Sequence, residues 1–181
     1  MNNSLKNTDR VKWMVVTALF LAFNIIMASI GIPVPGGHLY LCDAIICTAA
    51  LLLDPLGAFI VGGVGSFLGD LLFYPAPMFV SLVTHGLQAV VISVIAHRVQ
   101  DSSTKKHFAF SLVATLIGGV IMVVGYTLGK IYVYSTFEYA MIKLPYEIAQ
   151  AAIGVVSSLF LYYKAGLGNI FKRNVLNAEN N

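Results

Sequence analysis

The sequence predicts an all-α integral membrane protein, a bundle of six transmembrane helices with both termini in the cytoplasm. Three observations carry that expectation. Hydrophobic residues make up 58% of the chain and charged residues 10%, with a mean hydropathy of +0.82, far from the balance that lets a soluble domain surround its core. The apolar residues gather into six stretches near the roughly 20 residues that cross a hydrocarbon layer about 30 Å thick. The basic residues between those stretches collect on one side.

The first helix, 13–32, begins after Lys6, Arg10 and Lys12 and has no small-residue cleavage site, so it reads as a span and not a signal peptide. The second, 39–53, is shorter and carries Cys42, Asp43 and Cys47. The third, 56–74, runs through GGVGSFLGD to Asp70 and stops before Pro75 and Pro77. The fourth, 77–97, carries His85 and Gln88, and the fifth, 108–129, ends on Tyr126 and Gly129 ahead of Lys130. The sixth, 144–163, opens at Pro145, which suits a first helical turn, with Tyr146, Glu147 and Gln150 close behind. All six are continuously apolar, where barrel strands would alternate. The chain then divides into a tail at 1–12, a membrane domain at 13–164 and a second tail at 165–181.

Lys6, Arg10, Lys12, Arg98, Lys105, Lys106, Lys164, Lys172 and Arg173 fall on one side of this arrangement, and Lys130 and Lys143 on the other. The positive-inside rule puts both tails in the cytoplasm and the connections near 33–38, 75–77 and 131–143 outside. The net charge of +3 is thereby a topology signal and calls for no nucleic acid. Cys42 and Cys47 are not a CxxC pair, which leaves neither a zinc site nor a disulfide framework, only small buried or lipid-facing side chains. The chain lacks GxxxxGK[ST], HExxH, EF-hand and GxSxG patterns. Ser81 and His85 stand four apart without a third orienting group, so no catalytic residue, metal ligand or enzyme activity is expected.

The polar residues concentrate in the outer halves of the helices. His85 and Gln88 stand three apart, Glu147 and Gln150 three apart, and Tyr126 and Lys130 four apart, so each pair shares a helical face. An Asp at a helix centre costs about 2.5–3.5 kcal/mol on insertion scales, and such groups face a bundle interior or a wet cavity. A chamber that opens outward and holds a small polar aromatic ligand accounts for the pattern, with Asn24 joining from below and Tyr146 at its rim. Other readings stand beside it. Asp43 and Asp70 suit helix caps or loop braces, Glu147 suits a helix dipole, and the tyrosines suit an interfacial belt. Ala18 and Ala22, and Gly65 and Gly69, are small pairs that admit a close helix; for the glycines the expected neighbour is internal.

With Ala18-x-x-x-Ala22 on the first helix, and YLCDAIICTAALLLDPLGAFIVGGVGSFLGDLLF at 40–73 ending a glycine-rich helix in Gly-Asp, the chain resembles the S components of energy-coupling factor (ECF) vitamin transporters, nearest the hydroxymethylpyrimidine and pyridoxine group. The resemblance implies a substrate-binding subunit in a bacterial cell membrane that captures a vitamin from outside. It implies no cofactor in this chain, since ATP is used by partner subunits, namely two ABC-type ATPases that act through a membrane coupling (T) protein. It also implies that Ala18 and Ala22 meet the coupling protein and that the loop IPVPGGHLY covers the ligand, with Gly36 and Gly37 for bending and His38 and Tyr40 as contacts. His85, Gln88, Tyr126, Lys130, Tyr146, Glu147 and Gln150 complete the expected substrate set. A proton-coupled secondary transporter titrating Asp70 or Glu147, and a structural subunit without a ligand, are the competing classes.

Overall fold

A computed structural model describes residues 3–35, 37–98 and 104–173. Helix α1 runs Asn3–Ser29, α2 Cys42–Leu52, α3 Pro55–Phe73, α4 Met78–His97, α5 Lys105–Tyr134, α6 Phe137–Lys164 and α7 Leu167–Phe171. Five of these, with the span of α1 at Arg10–Ser29, are long and apolar enough to cross a membrane. The expected tails are partly helical, since α1 starts well before residue 13 and α7 lies beyond 164. Their remaining ends, like Gly36, lie outside the described residues.

The second expected span differs most. Residues 39 and 40 belong to a β hairpin, leaving α2 only eleven residues, about 16 Å at 1.5 Å per residue and too short to cross. The loop expected to cover the ligand forms two strands, β1 at Gly31–Val34 and β2 at Gly37–Tyr40, paired antiparallel with Pro33 opposite His38. Gly37 has φ +128°, a left-handed conformation that only glycine takes without strain. What α2 lacks in length it gains in burial: Ile46, Cys47, Ala50 and Leu51 lie at the centre of the bundle against Ala89 and Ile92 of α4. Its final carbonyl region is met by Ser93, whose hydroxyl donates to Leu53 O at 2.7 Å.

Helix α6 starts at Phe137, seven residues before the expected start at 144. Thr136 is its N-cap, accepting from Tyr139 N at 3.3 Å, and Pro145 lies inside the helix. Glu147 is therefore not in a first turn, and the helix dipole does not explain it. At the end of the bundle away from the hairpin, Asp54 caps α3 and accepts from Trp13 Nε1 at 2.6 Å, tying α1 to the α2–α3 corner.

Glycines set the helix spacing. On α3, Gly65 faces Asn24 and Gly69 faces Ala28, where an added Cβ would stand 2.7 and 2.8 Å from α1 atoms, so this pair packs inside the bundle as expected. Gly62 meets α4 equally closely, and a Cβ on Gly154 would lie 2.7 Å from Asp43 Cβ. Around Gly62 the helix widens into a π turn at Ile60–Val64, and α5 ends in a second at Lys130–Tyr134. Replacing Gly62 by Val drives a side chain into Ala89 Cβ and the His85 carbonyl, both 2.7 Å from an added Cβ, and is expected to destabilise by about 1–3 kcal/mol. Thermal unfolding in detergent measures it, and an unchanged midpoint would show that α3 and α4 can separate freely.

Candidate functional site

A cavity of about 300 Å³ opens beneath the hairpin. Its walls come from β2 through His38 and Tyr40, α3 through Ser66 and Asp70, α4 through His85, and α5 through Tyr126, Lys130 and Tyr134. Helix α6 adds Tyr139, Lys143, Glu147 and Gln150, four positions spaced four, four and three apart along one face. Tyr126, Lys130 and Tyr134 stand four apart on α5, and the π turn, with its wider i→i+5 winding, keeps all three on the cavity side.

The wall carries both signs of charge. Lys130, 3% exposed, forms a buried ion pair with Glu147, and the other Glu147 oxygen accepts from Thr127 Oγ1 at 3.5 Å. The Lys130 ammonium also stands 5.3 Å from the centre of the Tyr126 ring. Lys143 Nζ donates to His38 O at 2.6 Å, and the Tyr40 backbone N–H donates to Gln150 Oε1 at 3.0 Å. Two side chains of α6 thus hold β2 over the opening. Burial pushes the Tyr40 phenol above its ordinary pKa, aided by the charge of Asp70, so at neutral pH it is a hydroxyl that donates and accepts.

Under the floor lies Asp43, 1% exposed and in the first turn of α2. Its Oδ1 accepts from Gln88 Nε2 at 2.8 Å and its Oδ2 from Gln150 Nε2 at 2.6 Å. Gln88 Oε1 in turn lies 2.7 Å from His85 Nδ1. Nearer the opening, Ser81 donates to Asp70 and is bonded to the Tyr126 hydroxyl, and the rings of His85 and Tyr126 meet edge to face at 5.2 Å.

Of the residues expected from the sequence, His38, Tyr40, His85, Tyr126, Lys130, Glu147 and Gln150 come together on this cavity. Three do not line it. Gln88 is sealed below, bridging His85 to Asp43. Asn24 is fully buried between helices, where Nδ2 donates to Val61 O at 2.7 Å and to Ser66 Oγ at 3.2 Å; it closes a carbonyl in the π turn of α3 instead of reaching from below. Tyr146 is half-buried, about 100° round the helix from Glu147, on a different face. Lys143, Tyr134 and Tyr139 also line the cavity, although the sequence puts them in an outer connection where the tyrosines suit an interfacial belt. The signal available in the sequence is the four-residue spacing of Tyr139 and Lys143 with Glu147, and of Tyr134 with Lys130. Cys42, Asp43 and His85 bring candidate metal-ligand atoms within 4.8 Å of one another, but both Asp43 oxygens and His85 Nδ1 already have partners. Ala18 and Ala22 are exposed on α1 among Val11, Val15, Leu19 and Ile26.

Long apolar helices enclosing a cavity with charged groups of both signs in its wall, beneath a hairpin, define a multi-pass membrane protein with room for a small molecule. The family model for the ECF-type riboflavin transporter S component matches residues 8–166, and the chain belongs to that family. It is a substrate-binding subunit of an ECF transporter, a transport family and not an enzyme family, whose members bind a small vitamin and work with a membrane T protein and ATPases. A Pyrococcus woesei protein, described as an uncharacterized protein in the gap 3′ region, is 30% identical over 149 residues, covering 82% of this chain and 92% of its own length.

The Lys130–Glu147 pair is expected to be structural as well as functional. Glu147→Gln leaves a buried ammonium without its counter-charge and should destabilise by about 3–5 kcal/mol, whereas Lys130→Met with Glu147→Leu should recover most of that loss. Thermal unfolding of the single and double variants measures both, and a loss below about 1 kcal/mol for the single variant would mean that water reaches the pair.

Proposed function

We propose that this subunit captures a single-ring heteroaromatic vitamin or precursor, hydroxymethylpyrimidine or pyridoxine, from outside the cell and delivers it through the membrane with a T protein and two ABC-type ATPases. The observation that carries this reading is the size and chemistry of the cavity. About 300 Å³ is the lower end of the usual range for ligand pockets, roughly 300–1,000 Å³, and suits one substituted ring. Tyr126, Tyr134 and Tyr139 offer surfaces for that ring. Lys143, Glu147, Gln150 and His85 offer partners for its hydroxyl, amino and ring-nitrogen groups, and Lys130 acts with Glu147.

The basic-residue count supports an orientation with both termini in the cytoplasm and the hairpin outside. The hairpin then serves as the lid, held shut by Lys143 and Gln150 through backbone groups of His38 and Tyr40. Breaking those two bonds opens the route for entry. Helix α1 is the least covered span, with 11% of its apolar window buried against 33–44% in the others, and Ala18 and Ala22 form a shallow strip on its free face. That strip is the proposed seat of the coupling protein.

Riboflavin is the second reading, favoured by the description of the matching family. A three-ring flavin with its sugar-alcohol chain is the bulkier ligand, so this reading asks more of the hairpin's opening.

Calorimetry on the purified chain in detergent, without ATP, separates the two. Submicromolar one-to-one binding of hydroxymethylpyrimidine or pyridoxine, with riboflavin at least about a hundredfold weaker, is the expected result; a difference of that size is near 2.7 kcal/mol. The reverse order would establish the flavin reading. Ala18→Leu with Ala22→Leu should leave that binding unchanged and abolish co-purification with the T protein. Retained co-purification would move the docking seat elsewhere.

A further inference from the structure

Two chains of hydrogen bonds end at the cavity wall, one buried beneath it and one part-buried beside it, and each begins at a carboxylate. Asp43 is an acceptor only, so Gln88 must turn its NH₂ toward Oδ1, at 2.8 Å, and its Oε1 toward His85 Nδ1, at 2.7 Å. An amide oxygen cannot donate, so the proton between Gln88 and His85 belongs to Nδ1. When the ring carries that one proton its Nε2 is bare; this atom has no protein partner among the described residues and belongs to a side chain that lines the cavity. Gln150 is fixed by the same logic: its NH₂ goes to Asp43 Oδ2 and its Oε1 receives the Tyr40 N–H. The second chain runs in parallel. Ser81 has one hydroxyl proton and gives it to the Asp70 carboxylate, so the Tyr126 hydroxyl must donate to Ser81 Oγ, which leaves the lone pairs of Tyr126 for the cavity.

We infer that Asp43 and Asp70 are positioning residues that, through Gln88 and Ser81, set His85 Nε2 and the Tyr126 oxygen as adjacent hydrogen-bond acceptors, so that the site selects ligands bringing N–H or O–H donors to the floor. The two rings stand 5.2 Å apart, close enough for one substituted heterocycle to reach both. A ligand with acceptors at that edge would face two lone pairs and leave buried groups unpaired, the strongest ground for rejection that a small site has. The inference rests on the binding-subunit reading for what occupies the cavity, but the position of the His85 proton does not.

The test has two arms. The first is nitrogen-15 NMR of histidine-labelled protein without ligand, with His85→Gln identifying the signal. The expected spectrum has the His85 proton on Nδ1. Asp43→Asn should move it at least partly to Nε2: an asparagine cannot accept from both glutamines, and Gln88 is the one to turn over, since turning Gln150 would set its NH₂ against the Tyr40 N–H whereas His85 can answer a turned Gln88 by changing tautomer. A wild-type ring with a bare Nδ1, a wild-type ring with protons on both nitrogens, or an Asp43→Asn spectrum identical to wild type would overturn the inference. The second arm compares hydroxymethylpyrimidine with its N,N-dimethylamino analogue, and pyridoxine with its O-methyl ethers, by calorimetry. The wild type should prefer the donor-bearing parent by about tenfold per lost hydrogen bond. Ser81→Ala should erase that preference at one substituent, and equal binding of parents and methylated analogues by the wild type would again overturn it. Should the wild type bind none of these probes, the substrate reading falls while the first arm still decides the proton's place. Should Asp43→Asn fail to fold, the wild-type spectrum and Ser81→Ala decide.

Discussion

A carboxylate almost sealed from solvent among apolar helices has to be surrounded by donors, and Asp43 is the group on which the rest of the site depends. Its two oxygens are satisfied by amides from two other helices, Gln88 on α4 and Gln150 on α6. That requirement draws α2, α4 and α6 to one point, and Gly154 permits it, since any side chain there would strike Asp43. The short, deeply buried α2 is thus anchored by polar contacts at one end and packed by Ile46, Ala50 and Leu51 along its length. Leaving one oxygen unpaired in such surroundings costs a large part of the stability of a typical domain.

The same contacts reach the hairpin. Gln150 is held by Asp43 at one end and holds the Tyr40 N–H at the other, so the cover of the cavity and its floor share a single side chain. Lys143 adds a second tether to His38. A ligand that competes for either side chain from within the cavity therefore acts on the hairpin as well. Asp70 has a comparable place on the opposite wall: it lines the cavity, and through Ser81 it turns the Tyr126 hydroxyl. Charges in this bundle are compensated in two ways. Lys130 and Glu147 neutralise each other, whereas Asp43 is met by neutral amides that also orient their neighbours. The first arrangement cancels charge and leaves a local dipole; the second supplies direction.

Much of this was legible in the sequence because hydropathy and charge placement act locally. The third and fourth helices fall within a few residues of expectation, and the polar pairs on the fourth, fifth and sixth do turn toward one another. The errors have identifiable causes. Pro145 read as a helix start, but Thr136 caps the helix earlier and the proline is accommodated inside it. Residues 39 and 40 read as apolar helix, but pairing with Gly31 and Ile32 makes them strand. Asn24 read as a ligand contact because its depth is unusual; its amide is engaged by the carbonyl of Val61 in a π turn that no periodicity announced.

What the sequence alone determined is that the chain is a membrane protein of several long helices, with a concentration of polar and charged groups toward the outer end and its small residues where helices approach. These follow from hydrophobic burial, from span length and from the absence of a Cβ, which depend on residue type and spacing and on little else. What only the tertiary structure decided is which polar groups face the cavity and which stand behind it. His85 and Gln88 share a face and look equivalent in sequence, yet one lines the cavity and the other is sealed against Asp43, 45 positions away. Hydrogen-bond direction is set by the partner across the gap, and that partner is chosen by the packing of helices remote in the chain.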